Sequence, residues 1–124
     1  MYFYQDERGR IPAVEWLKEL RNRDRAAYAK CVAAINRLAA EGYALKRPTA
    51  APVKDKIYEL RAKRGRVNYR ILYFFHGKNA AILAHALTKE DKVPEADIKR
   101  AVKRRRLYES NPKKHTYQEE NRLA

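Results

Sequence analysis

KIYELRAKRGRVNYRILYFFHGKNAAILAHALTKEDK, running from Lys56 to Lys92, carries the clearest strand signals in the chain. It divides into KIYELRA, VNYRILYFF and AAILAHAL, with KRGR and HGKN as turns and TKEDK as the exit. Strand side chains alternate between two faces, so Val67, Tyr69, Ile71, Tyr73 and Phe75 share one face and Asn68, Arg70, Leu72 and Phe74 the other. In the first strand the same alternation groups Tyr58 and Leu60 with the first set and sends Glu59 and Arg61 to the face of Arg70. The expectation is a sheet that buries one face against helices and carries a polar cluster on an otherwise apolar second face.

Upstream, Tyr2 to Gln5 suits a brief edge strand, and Pro12 pre-sets the first turn of a helix. Ala13, Trp16, Leu17 and Leu20 recur at helical spacing and define its buried stripe. Asp24 is placed to cap a second helix with the stripe Tyr28, Cys31, Val32, Ile35, Leu38 and Ala39, and Gly42 to stop it. So short a connection predicts an antiparallel helical hairpin. Tyr43 to Val53, with Pro48 and Pro52 and no useful period, reads as a loop from helix to sheet.

Downstream, Pro94, Glu95 and Asp97 open a last helix with acids in its first turn and bases later, as the helix dipole favours. Ile98, Ala101, Val102 and Leu107 would dock it, leaving Lys99, Arg100, Lys103, Arg104 and Arg106 solvated. Residues 1–110 form one expected domain, and residues 111–124 a polar, flexible C-terminal tail. The fold class is α+β: a small twisted, mainly antiparallel sheet with an N-terminal helical hairpin on one face and a C-terminal helix.

The chain of 124 residues has a formal net charge of +14 with ordinary apolar content, the mark of a folded protein with a basic surface. Polyanions are the natural partners, nucleic acid before an anionic membrane or an acidic protein, because the bases lie among Tyr and Phe on structured elements. A single cysteine, Cys31, excludes an internal disulfide and any multi-cysteine zinc site. The N-terminus mixes acid and base, unlike a signal peptide, and no apolar run reaches membrane-spanning length, so a cytoplasmic location is expected.

His76, His85 and His115 lie far apart, and neither a metal-ligand spacing nor a Gly-rich phosphate loop is present, so no metal or cofactor is expected. Bases beside aromatics suit RNA cleavage without metal, which requires a proton taken from the 2′-hydroxyl, a stabilised phosphorane and a proton given to the leaving 5′-oxygen. Arg70 and Arg61 are the leading phosphate ligands, because a guanidinium meets two phosphate oxygens and stays charged. Lys89, Lys92 and His85 complete the candidate catalytic set, with Glu59 as an ordinary proton-transfer alternative. Lys56, Arg64, Arg66, Lys103 and Arg104 are candidate RNA-binding cations. The structural alternative for Arg70 is a cross-strand ion pair with Glu59, and for His85 a hydrogen-bonded place in the core.

In order and wording, IYELR (Ile57–Arg61), NYRILYFF (Asn68–Phe75) and LAHALTKEDKVPEADIKRAVKRR (Leu83–Arg105) resemble the RelE/HigB superfamily of type II toxin-antitoxin toxins, and within it the phage-derived HigB-like branch. GRIPAVEWLKEL (Gly9–Leu20) is similar to that branch's opening helix, so the resemblance spans roughly residues 8 to 108. It implies a RelE-like fold, with two N-terminal helices on one sheet face and a basic concave site on the other. It also implies mRNA cleavage on the translating ribosome, and neutralisation by a cognate antitoxin with a helix-turn-helix domain. By position it assigns the family's arginines to Arg61 and Arg70 and its loop lysines to Lys89 and Lys92. Glu90 stands where relatives have a second lysine, and Leu87 where they have an aromatic. Two other readings compete: a ParE-like toxin that shares the fold but inhibits DNA gyrase by binding, and a basic nucleic-acid-binding domain without catalysis.

Overall fold

The computed structural model describes residues 1–77, 80–88 and 92–117. Its centre is a six-stranded sheet in the order β2-β3-β4-β5-β1-β6. The strands are β1 (Tyr2–Tyr4), β2 (Ala50–Lys54), β3 (Ile57–Arg64), β4 (Val67–His76), β5 (Ala80–Thr88) and β6 (Thr116–Tyr117). Only β1 and β5 pair in parallel; the other neighbours are antiparallel. The α+β class and the mainly antiparallel sheet expected from the sequence are what the structure has.

Helices α1 (Pro12–Arg23) and α2 (Arg25–Glu41) cover one face as the predicted hairpin. A single residue joins them. The Asp24 amide donates to the Leu20 carbonyl at 2.7 Å, closing α1, while its side chain accepts from the Ala27 amide at 3.1 Å, opening α2. Leu17, Leu20, Ile35 and Leu38 pack there on Leu60, Tyr69, Ile71 and Tyr73, the alternating set of β3 and β4. Each such side chain contributes about 2 kcal/mol on removal from water. Trp16 is only partly buried, edge-on to Tyr69, and Val14 takes the fully buried place beside Ala13. On α2 the buried stripe is Ala27, Cys31, Ala34, Ile35 and Leu38, with Ala39 left exposed.

The second face is not simply open. Helix α3 (Glu95–Ser110) lies across it, and Ile98, Ala101, Val102 and Tyr108 form a second core with Leu72, Phe74, Ile82, Ala84 and Leu87. Leu72 and Phe74 explain this cover, since a sheet apolar on both faces must bury both.

Several expectations are revised. The stretch read as loop up to Val53 contains β2, an edge strand whose exposed Pro52 cannot donate to a ladder and marks a register shift. The strand expected at the N-terminal edge, β1, sits inside the sheet between β5 and β6. Residues read as tail include α4 (Pro112–His115) and β6, which pairs with β1. His115 is buried there, stacked on Tyr4 with its Nδ1 on the Gln5 carbonyl at 2.7 Å. Residues 118–124 lie outside the described residues.

Candidate functional site

Arg61 and Arg70 stand directly opposite one another on β3 and β4. Alternation puts both on the α3 side of the sheet, with Glu59 two residues before Arg61 on that side. The buried Glu59 carboxylate receives the Arg61 Nε and lies 3.7 Å from Arg70 Nη1. The second distance is an ion pair but too long for a hydrogen bond. Arg70 is also only 12% exposed, and its Nε has no hydrogen-bond partner among the described residues. Two guanidiniums therefore share one carboxylate and keep a net positive charge. The next residue across the sheet from Arg70 is Leu87, one position before the end of β5, where the chain leaves toward Lys92.

A second polar group lies farther along the same face. Between β4 and β5 the pairing slips from Leu72–His85 to Tyr73–Leu83, so Ala84 is an extra residue and the bulge turns both Ala84 and His85 toward α3. His85 Nε2 lies 2.7 Å from Asp97 Oδ1, and its Nδ1 lies 3.1 Å from Arg104 Nη1, which also donates to the Ala84 carbonyl at 2.7 Å. An arginine can only donate, so Nδ1 accepts, and the proton sits on Nε2 facing the Asp97 carboxylate. Burial lowers the His85 pKa most; the Asp97 hydrogen bond opposes it, and the Arg104 charge adds to it. His85 is thus a neutral imidazole with both nitrogens engaged. The sequence left Asp97 as a helix-terminal acid; only the bulge reveals it as this histidine's partner.

The remaining candidates scatter. Arg104, expected to be solvated, turns inward, over Tyr4 at 5.9 Å as well as against His85, and burial depresses its pKa. Arg64 faces the helical hairpin and reaches Asp24 at 3.5 Å, on the side away from Arg70. Arg66 is exposed in the β3–β4 turn, Lys56 in the β2–β3 turn, and Lys103 on the outer face of α3. Lys92 is exposed just before α3. Lys89 and Glu90 lie outside the described residues. The structure therefore joins Arg61, Arg70 and Glu59 in one cluster and His85 and Arg104 in another.

The family model described as phage derived protein Gp49-like (DUF891) matches residues 16–106, which run from α1 through most of α3 and include both clusters. The chain belongs to this family. Gp49-like proteins are a RelE-like toxin family of toxin-antitoxin systems, which implies a cognate antitoxin as partner. No curated protein matches the chain. Among the described residues of this Gp49-like chain, no three His, Cys, Asp or Glu side chains gather as metal ligands, and no helix is long and apolar enough to cross a membrane.

Proposed function

We propose that this Gp49-like chain, of the HigB-like branch, is an mRNA endoribonuclease that cleaves without metal on the translating ribosome and stops translation until its antitoxin binds. The observation that carries the reading is the Arg61–Arg70 pair: two guanidiniums beside one buried carboxylate, Arg61 37% exposed and Arg70 12%, so that a net positive charge is left at the sheet face. Such a pair suits a phosphate that gains charge in an in-line transition state, since its donors are oriented before the substrate arrives. Glu59 supports the role by fixing the two side chains and limiting their repulsion. Lys92 and Lys89, both from the sequence between β5 and α3, are the candidates for added charge or for acid and base. His85, with both nitrogens engaged, is assigned to holding α3 and not to proton transfer.

Inducible expression in bacteria, followed by mapping of 5′ ends across cellular mRNA, tests this. New ends within translated codons that vanish with Arg70→Ala are the expected result. Growth arrest with DNA damage and no new ends would give the chain to the ParE-like, gyrase-inhibiting reading. Absence of arrest together with graded, salt-sensitive RNA binding would give a binding domain without catalysis.

A further inference from the structure

Tyr43 is the one large hydrophobic side chain exposed among the described residues, at 52%. It is also held in place. The chain turns at Gly42 (φ 53°) out of α2 into a single 3₁₀ turn, Gly42–Ala44, and the Tyr43 ring stacks on Phe75 with centroids 3.8 Å apart. Its hydroxyl donates to the Gly77 carbonyl at 3.2 Å. One face of the ring is covered by Phe75, and the rest is presented to solvent in a fixed orientation.

Two clefts meet at this ring, both lined by Tyr43 and Tyr58. One, of about 460 Å³, is lined by Lys46 and Arg47; the other, of about 360 Å³, by Lys56, Arg105 and the Glu109 carboxylate. Arg105 is held by Glu109 at 2.9 Å and is 15% exposed, so it meets the cleft with the edge of a guanidinium already paired to a carboxylate. Lys56 sits at φ 65°, a left-handed conformation unfavourable for a lysine, which persists where the surroundings fix it and often where function uses it. A rigid exposed aromatic between pairs of cations is the chemistry that holds single-stranded nucleic acid: a base stacks on the ring and the flanking phosphates meet the cations. A lone ring ringed by charge is a poor match for an apolar protein surface.

We infer that Tyr43 is a base-stacking platform for single-stranded RNA, with Lys46, Arg47, Lys56 and Arg105 as phosphate contacts. It is a second RNA site, separate from Arg61 and Arg70. Phe75 beneath it is five residues from Arg70 on β4, about 17 Å along the strand and on the opposite face. The inference rests on the RNA reading above and adds where the strand is gripped outside the cleavage cluster.

The test measures binding of a short 2′-O-methyl oligoribonucleotide, which lacks the hydroxyl needed for cleavage, to the full chain across a range of salt. Tyr43→Leu keeps Phe75 covered but offers no ring, and should weaken binding about 5- to 100-fold with an unchanged salt slope. Tyr43→Phe should bind close to wild type, and Lys56→Ala should reduce the salt slope by about one. Equal affinity for wild type and Tyr43→Leu, with Arg70→Ala still weakening binding, would overturn the platform and leave the RNA reading intact. Competition by polyglutamate as strong as by RNA would show charge without stacking and would also overturn it. Failure of the wild-type chain to bind would defeat the inference, while mRNA cleavage would still be decided by the mapped 5′ ends.

Discussion

Glu59 with Arg61 and Arg70, and Asp97 with His85 and Arg104, are two clusters on one face of one sheet, each with a carboxylate and at least one buried or half-buried arginine. They differ in what is left over. In the Asp97 cluster both imidazole nitrogens are bonded and one Arg104 nitrogen serves a carbonyl and the ring, tying β5 to α3. In the Glu59 cluster one carboxylate faces two guanidiniums, and Arg70 Nε has no partner among the described residues. Residue types do not separate a structural cluster from a candidate site; the charge left after pairing does, one positive charge beside Glu59 and none beside Asp97.

The largest expected effect breaks the comparison most directly. Arg70→Ala should lower mRNA cleavage by about 10²- to 10³-fold, the usual cost of losing one donor to a transition-state charge. The fold should survive, because Glu59 keeps Arg61 as a partner. Mapped 5′ ends and a urea midpoint measured on one preparation check both halves. A variant that fails to fold would make Arg70 a structural residue like Arg104, and one that folds and cuts normally would remove it from the site.

Arg104→Ala should do the reverse. It strands the Ala84 carbonyl and His85 Nδ1 in a buried place, at a cost of about 3 kcal/mol. Chemical denaturation should show that loss; a smaller one than for Arg70→Ala would invert the assignment of the two clusters.

Acid should act on the same cluster. Folding lowers the His85 pKa from the ordinary value of 6.5, chiefly by burial, so below about that pH the unfolded chain binds a proton that the folded chain resists. Stability from this group is fully present above pH 6.5 and declines as pH falls toward the lowered folded value. Urea midpoints at pH 7.5 and pH 5 should differ more for the wild type than for His85→Asn; equal differences would mean that His85 is not the neutral partner described.

Much of this was legible from alternation and helical spacing. Arg61 and Arg70 could be placed together because period 2 runs unbroken through β3 and β4, and the hairpin followed from Asp24 and the stripe of α2. For His85 the hydrogen-bonded core place was legible as the alternative to catalysis, but its partners Asp97 and Arg104 were not. A bulge is a property of two paired strands, and nothing within AAILAHAL says that Ala84 is the extra residue. β2 was hidden because Pro52 and two alanines form an edge strand with little side-chain signal. The second core was present in the pattern as Leu72 and Phe74, which made both faces of β4 apolar, though only α3 shows how much of that face is closed.

Lys56 offers the smallest effect and the sharpest separation of fold from function. Asp55 and Lys56 form the two-residue β2–β3 turn between paired Lys54 and Ile57, both at positive φ, 51° and 65°. Such turns favour Asp-Gly, because glycine alone meets the second position without strain. Lysine there costs about 1 kcal/mol. Lys56→Gly should relieve that strain and so stabilise the chain by about 0.5–1 kcal/mol, partly offset by the greater freedom glycine has when unfolded. The same change removes a cation from the cleft beside Tyr43 and should weaken RNA binding and lower its salt slope. A more stable protein that grips RNA less well would mean the lysine is kept against the demands of the turn. A stability gain with binding untouched would leave Lys56 as a strained turn residue and confine the RNA contacts to the other cations.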